Sequence, residues 1–176
     1  QRNFFARTFG CVRLFYNTSL DDMNKLYKEK KEYKDITPAS YKERFPFFKE
    51  VNSLALANAQ LNRNKALKSF FRKQNKFPKF KAKRNKQSYS TNNQNGTVYL
   101  SEDCKYISLP KIKNIKIKMH RKFDGVIKTV TVSKECDNTY YVSILVEENI
   151  EAKPKSKNSV GIDLGIKSYI VDSNAK

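Results

Sequence analysis

Near residue 87 the spacing of apolar side chains changes, and that change divides what the chain can fold into. Upstream, apolar residues recur at intervals of three and four; downstream they alternate. The first period is that of a helix with one buried face, the second that of a half-buried strand. The expected class is α+β, with helices first and antiparallel strands after.

Upstream, Phe4, Cys11, Phe15, Leu20, Met23, Leu26 and Tyr27 outline a helix from Asn3 to Tyr33, with a break expected around Gly10. Asp21 and Asp22 precede Lys25, Lys28, Lys30 and Lys31, an order that suits the helix dipole. Thr37-Pro38 opens a short helix that should stop before Pro46. A longer helix is expected from Ser53 to Arg72, with Leu54, Ala57, Leu61, Leu67, Phe70 and Phe71 on its apolar face. Three helices with short connections make a small bundle.

Downstream, the expected strands are Thr97 to Leu100, Tyr106 to Leu109 and Ile115 to Lys118. A longer hairpin, Ile127 to Ser133 with Thr139 to Glu147, should turn at Asp137-Asn138. Strands at this spacing suggest a small antiparallel barrel, with lysines such as Lys116 and Lys118 on its outer face. A Lys-rich stretch around Pro154 reads as a linker, followed by two strand-like runs around Asp163. The expected divisions are 1–86, 87–153, a linker at 154–158, and 159–176.

Charge narrows the partner. Thirty-six Lys and Arg oppose seventeen Asp and Glu, a formal charge of +19. Such an excess attracts polyanions and opposes compaction by self-repulsion. No apolar run is long enough to span a bilayer and no signal peptide is visible, so nucleic acid is favoured over membrane. Cys11, Cys104 and Cys136 are widely spaced without a CxxC pair, as expected of reduced thiols in a cytosolic protein. Because Gln1 is not a start methionine, the chain reads as incomplete or processed at its front.

The densest charge lies between the two halves. Arg72, Lys73, Lys76, Lys79, Lys81, Lys83, Arg84 and Lys86 occur without an acid, and Pro78 argues for an extended or looped arm. Lysines there can neutralise phosphates. Phe77 and Phe80 either stack on unpaired bases or anchor the arm to the bundle. His120 and Arg121, at a basic strand end, are expected to face nucleic acid. Tyr16 is expected in the core; Asn17 could face core or DNA.

Val160-Gly161-Ile162-Asp163-Leu164-Gly165 places an acid within an apolar strand, where it is costly unless paired. A divalent metal is one such partner, as in ribonuclease-H-like folds; actin-like ATPases open similarly, and a strand-end Asp bonding to a turn is the plainer alternative. Asp172 is expected in the turn after the second strand.

Three segments resemble the TnpB (OrfB) transposon-associated family. Thr8 to Asn17 (TFGCVRLFYN) is similar to its first helix, and Lys76 to Tyr89 to its FPxFKxKxxxxSY segment. Val160 to Gly165 is similar to its first RuvC motif. The resemblance implies a helical recognition bundle, a wedge-like barrel and the opening strands of a RuvC domain. It also implies a transposon-derived guide RNA, a double-stranded DNA target, a cytoplasmic, nucleoid-associated setting, and Mg²⁺ held in part by Asp163. The family's first barrel strand and later RuvC carboxylates find no counterpart in this sequence, nor does the zinc-ribbon cysteine set of many members. Two-metal catalysis needs more than one carboxylate, so the chain by itself is expected to bind without cutting. A stand-alone or remnant RNA- or DNA-binding module is the alternative.

Overall fold

The computed structural model describes residues 1–30, 35–149, 159–166 and 169–173. The expected linker at 154–158 and the end of the first helix at Tyr33 lie outside the described residues.

Helix α1 spans Arg2–Lys30 without interruption, so the break expected at Gly10 does not occur. Its buried stripe of Phe5, Phe9, Val12, Tyr16, Leu20 and Met23 runs at helical spacing straight through the glycine. Burying even one such side chain is worth about 1.5–3 kcal/mol, more than the roughly 1 kcal/mol that an interior glycine costs. The buried hydroxyls of Thr8 and Ser19 donate back to the carbonyls of Phe4 and Tyr16, at 2.9 and 3.2 Å.

The short second helix is replaced by two single 3₁₀ turns, Pro38–Tyr41 and Pro46–Lys49. Pro46 therefore opens a turn as well as ending what precedes it, since proline at a first helical position forfeits no bond. The turns carry Tyr41 and Phe48 onto Phe15, both edge-on with ring centroids 5.6 and 6.4 Å away. The bundle thus has two α-helices among the described residues, not three.

Helix α2 spans Ser53–Phe71 and is capped by Asn52, whose side chain accepts from the Leu54 N–H at 3.1 Å. Its buried face is Ala55, Leu56, Ala59, Arg63 and Leu67, which corrects the expected one: Leu61 and Phe71 are both 60% exposed. Small residues let α2 approach α1 and the first strand closely, and packing outranks the hydropathy pattern.

Strand β1, Gln87–Asn92, was not among the expected strands; its QSYSTN sequence is polar, yet Tyr89 and Thr91 are buried. The remaining strands are β2 (Tyr99–Leu100), β3 (Tyr106–Leu109), β4 (Ile112–Lys116), β5 (Val126–Lys134), β6 (Tyr140–Glu147), β7 (Ile162–Asp163) and β8 (Val171–Asp172). β4 begins earlier than expected because Lys111 and Asn114 take positive φ and pair the strand with β3 through a bulge. The β5–β6 hairpin turns at Asp137-Asn138 as expected. Asn138 has φ 65°, and the Asp137 carboxylate accepts from the N–H and hydroxyl of Thr139 at 2.9 and 2.8 Å.

The sheets are antiparallel, ordered β1-β5-β6 and β2-β3-β4, with β7-β8 as a separate pair. The strands expected to form a small barrel make two separate sheets among the described residues, and no ladder closes one onto the other. β6 and β4 remain edge strands, and a cleft of about 1490 Å³ opens between β6 and the segment 115–123. One core nevertheless runs through both halves: Phe5, Phe9 and Phe15 of α1 and Leu56 of α2 cluster with Tyr89, Ile107, Val130 and Val132. A smaller cluster joins Tyr16, Leu20 and Met23 to Leu67.

Candidate nucleic-acid interface

The basic arm leaves α2 through a tight helix end. Lys73 takes a left-handed conformation, φ 59°. Its N–H donates to the Phe70 carbonyl at 2.8 Å, and the Gln74 N–H donates to the Ser69 carbonyl at 3.0 Å. These two bonds satisfy carbonyls that the helix end would otherwise orphan. From Lys76 to Ala82 the chain has no helix or strand, as Pro78 predicts.

Side chains hold this irregular run in place. Phe77 packs edge-on against Phe70 with centroids 5.2 Å apart, so it anchors the arm, whereas Phe80 is 56% exposed. Asn17 of α1 bonds to both backbone groups of Lys81. The Lys81 ammonium lies 4.3 Å over the ring of Tyr16, which is buried as expected. Lys81 as a whole is exposed, yet partial desolvation of its ammonium pushes its pKa down.

Arg72, Lys73, Lys76, Lys79, Lys83, Arg84 and Lys86 are all exposed. Of these, Lys86 pairs with Glu135, and among the described residues no other member of the arm has an ion pair. An acid-free, solvent-facing row of this kind is a field that phosphates can enter without displacing protein carboxylates.

The second expected cluster lies elsewhere. Lys116, Lys118, His120 and Arg121 are exposed along one wall of the cleft between the sheets, alternating with half-buried Ile115, Ile117 and Met119. Lys86 also lines that cleft, so it alone of the arm joins the two groups. The structure does not bring residues 72–84 and 116–121 into one site.

Two cations outside the expected set extend the arm. Lys65 and Lys68 are exposed on α2, and with Leu61 and Arg72 they fall at helical spacings of three and four. The signal was present in that spacing, counted back from Arg72.

Asp163 sits on β7 opposite Val171 of β8, and the hairpin is tied by the Ser173 N–H donating to the Gly161 carbonyl at 2.8 Å. The buried strand expected around it is not found. Asp163 is exposed, as are Ile162 at 61% and Leu164 at 70%. Asp172 lies on β8 rather than in the following turn. Among the described residues no three His, Cys, Asp or Glu side chains cluster to hold a metal. The described cysteines Cys11, Cys104 and Cys136 are free thiols. No described helix is long and apolar enough to cross a membrane.

A family model for the helix-turn-helix domain of OrfB proteins matches residues 1–32, a stretch that here is one unbroken helix over its described part. A Streptomyces pristinaespiralis protein named "Putative RNA-guided DNA endonuclease" is 27% identical over 97% of this chain and 44% of its own length. "Putative RNA-guided DNA endonuclease InsQ" of Escherichia coli strain K12 is 28% identical over 91% of this chain and 41% of its own length. The chain therefore spans about two fifths of the length of these curated relatives. The match over α1 and two relatives aligned along nearly the whole chain agree with the resemblance of the three motif segments to the TnpB (OrfB) family.

Proposed function

We propose that this chain is the nucleic-acid-gripping front part of an RNA-guided DNA endonuclease, holding phosphate backbones with the arm from Arg72 to Lys86. The observation that carries the reading is the arm itself: eight exposed cations on a segment tied to α1 and α2, with Lys86 alone neutralised by an acid among the described residues. Lys116, Lys118, His120 and Arg121 form a second contact surface on the sheet cleft, suited to a different stretch of backbone. The partners proposed are a transposon-derived guide RNA and a double-stranded DNA target, in keeping with the names of the relatives.

Cleavage is proposed for the longer protein only. Mg²⁺ chemistry would require Asp163 to be joined by carboxylates from outside the described residues, and no step is assigned to the ion here. That same donor set favours a second reading, a binding module that does not cut.

The test is a salt titration of affinity for a 20-base-pair duplex, with Lys79, Lys81, Lys83 and Arg84 changed together to Gln. If all four meet phosphates, the log–log slope falls by about 3 to 4 in magnitude, at roughly 0.9 per contact. An unchanged slope would remove the arm from the interface. Mg²⁺-dependent cutting by the 176-residue chain, lost in Asp163→Ala, would overturn the assignment of cleavage to the longer protein.

A further inference from the structure

The arm has no regular secondary structure, yet one residue on a different element satisfies its backbone. The Asn17 Nδ2 donates to the Lys81 carbonyl at 2.9 Å, and the Lys81 N–H donates to the Asn17 Oδ1 at 2.8 Å. A carboxamide thus stands in for a neighbouring strand, from 64 residues away in sequence. Tyr16, its neighbour on α1, supplies the ring beneath the Lys81 ammonium. Phe77 against Phe70 fixes the arm nearer α2.

These contacts do little for the core. Both bonds are exposed to solvent, where a net hydrogen bond contributes little to folding, and Asn17 itself is only half-buried. What they do is remove freedom from a cationic segment before it meets a partner. Ordering that segment at the moment of binding would otherwise weaken the complex.

We propose that Asn17 is a positioning residue for nucleic-acid binding, holding the arm in advance so that Lys79, Lys81, Lys83 and Arg84 meet one phosphate backbone without an ordering cost. The proposal rests on the nucleic-acid reading of the arm given above. It assigns Asn17 no contact with nucleic acid, so its loss should change affinity but not the number of phosphates neutralised.

The experiment compares Asn17→Ala with the unaltered 176-residue chain, using the same 20-base-pair duplex across a range of NaCl concentrations. Alanine is the better helix former, so α1 is retained. Affinity should fall about five- to tenfold, the equivalent of immobilising one or two long side chains. The log–log salt slope should be unchanged, and trypsin should cut at residues 79–84 faster in the variant. Faster trypsin cutting with unchanged affinity would overturn the proposal, because the arm would be freed without consequence. A slope reduced by a full contact would also overturn it, since Asn17 would then govern contacts rather than order. Failure of the underlying reading is separable: the fourfold Gln variant would keep the full slope.

Discussion

The guanidinium of Arg63, on the buried face of α2, is fully enclosed and pairs with Asp35, while also donating to the Ile36 carbonyl from both terminal nitrogens at 3.1 Å. The ring of Phe15 lies 5.8 Å from its central carbon. One side chain thereby ties the 35–36 segment to both helices. Arg63→Ala should lose about 3 kcal/mol of stability by removing a buried, multiply bonded charge from its partners. Arg63→Lys should recover little of that, because an ammonium cannot reproduce the planar fork. Urea unfolding followed by circular dichroism checks both; a loss below about 1 kcal/mol for Ala would contradict the role.

Gly10 has no packing reason within the described structure. A Cβ built there meets nothing within 4 Å. Gly10→Ala should therefore raise stability by up to about 1 kcal/mol through helix propensity alone. A lowered melting temperature would mean that α1 needs the glycine for a conformation or neighbour not captured by this packing.

Lys73 is the opposite case, a side chain in the left-handed region that closes α2. Lys73→Gly should relieve that strain and stabilise the fold by about 0.5–1 kcal/mol. Thermal denaturation reads the gain; a neutral or negative result would show that the lysine's other interactions outweigh its backbone cost.

Alkaline pH should unfold the protein in a way that Tyr89 helps to set. Burial raises its phenol pKa well above the ordinary 10.0, and Tyr41 and Tyr16 are raised in the same direction, each chiefly by burial. Tyr41 gains further from its bond to the Asp22 carboxylate. Unfolded phenols ionise near 10 while the folded ones stay neutral, so this stability is fully present below about pH 10 and is lost as pH rises toward the folded values. Tyr89→Phe keeps the ring and removes the titration. Its stability should fall less steeply between pH 10 and 11 than that of the unaltered chain, and an identical slope would contradict the burial effect.

Lys65 and Lys68 should count as phosphate contacts if nucleic acid follows α2 into the arm. Changing both to Gln should lower the log–log slope on duplex DNA by about 1.8 and leave the melting temperature within a few degrees. No change in slope would confine the interface to the arm beyond α2.

The sequence carried the element types well where the period was regular. The β5–β6 hairpin was legible because Asp137-Asn138 separates two alternating runs, and the arm because Pro78 interrupts an acid-free basic run. The fold departs from the pattern where tertiary packing outranks local preference. Gly10 reads as a break but is carried by its buried neighbours, and Arg63, a charged residue outside any expected apolar face, occupies the core. β1 was missed because its polar sequence hides the buried Tyr89 and Thr91. At the candidate interface the cations were plain, but the Asn17–Lys81 pairing could not be read, since it joins residues with no periodic relation.

Amide hydrogen exchange of the 176-residue chain, with and without saturating duplex DNA at low salt, would show whether the arm is where nucleic acid binds. Protection should concentrate at residues 76–84, extend toward Lys68, and be reversed by raising the salt. Protection confined to the sheet cleft around residues 116–121, with the arm exchanging freely, would contradict that placement.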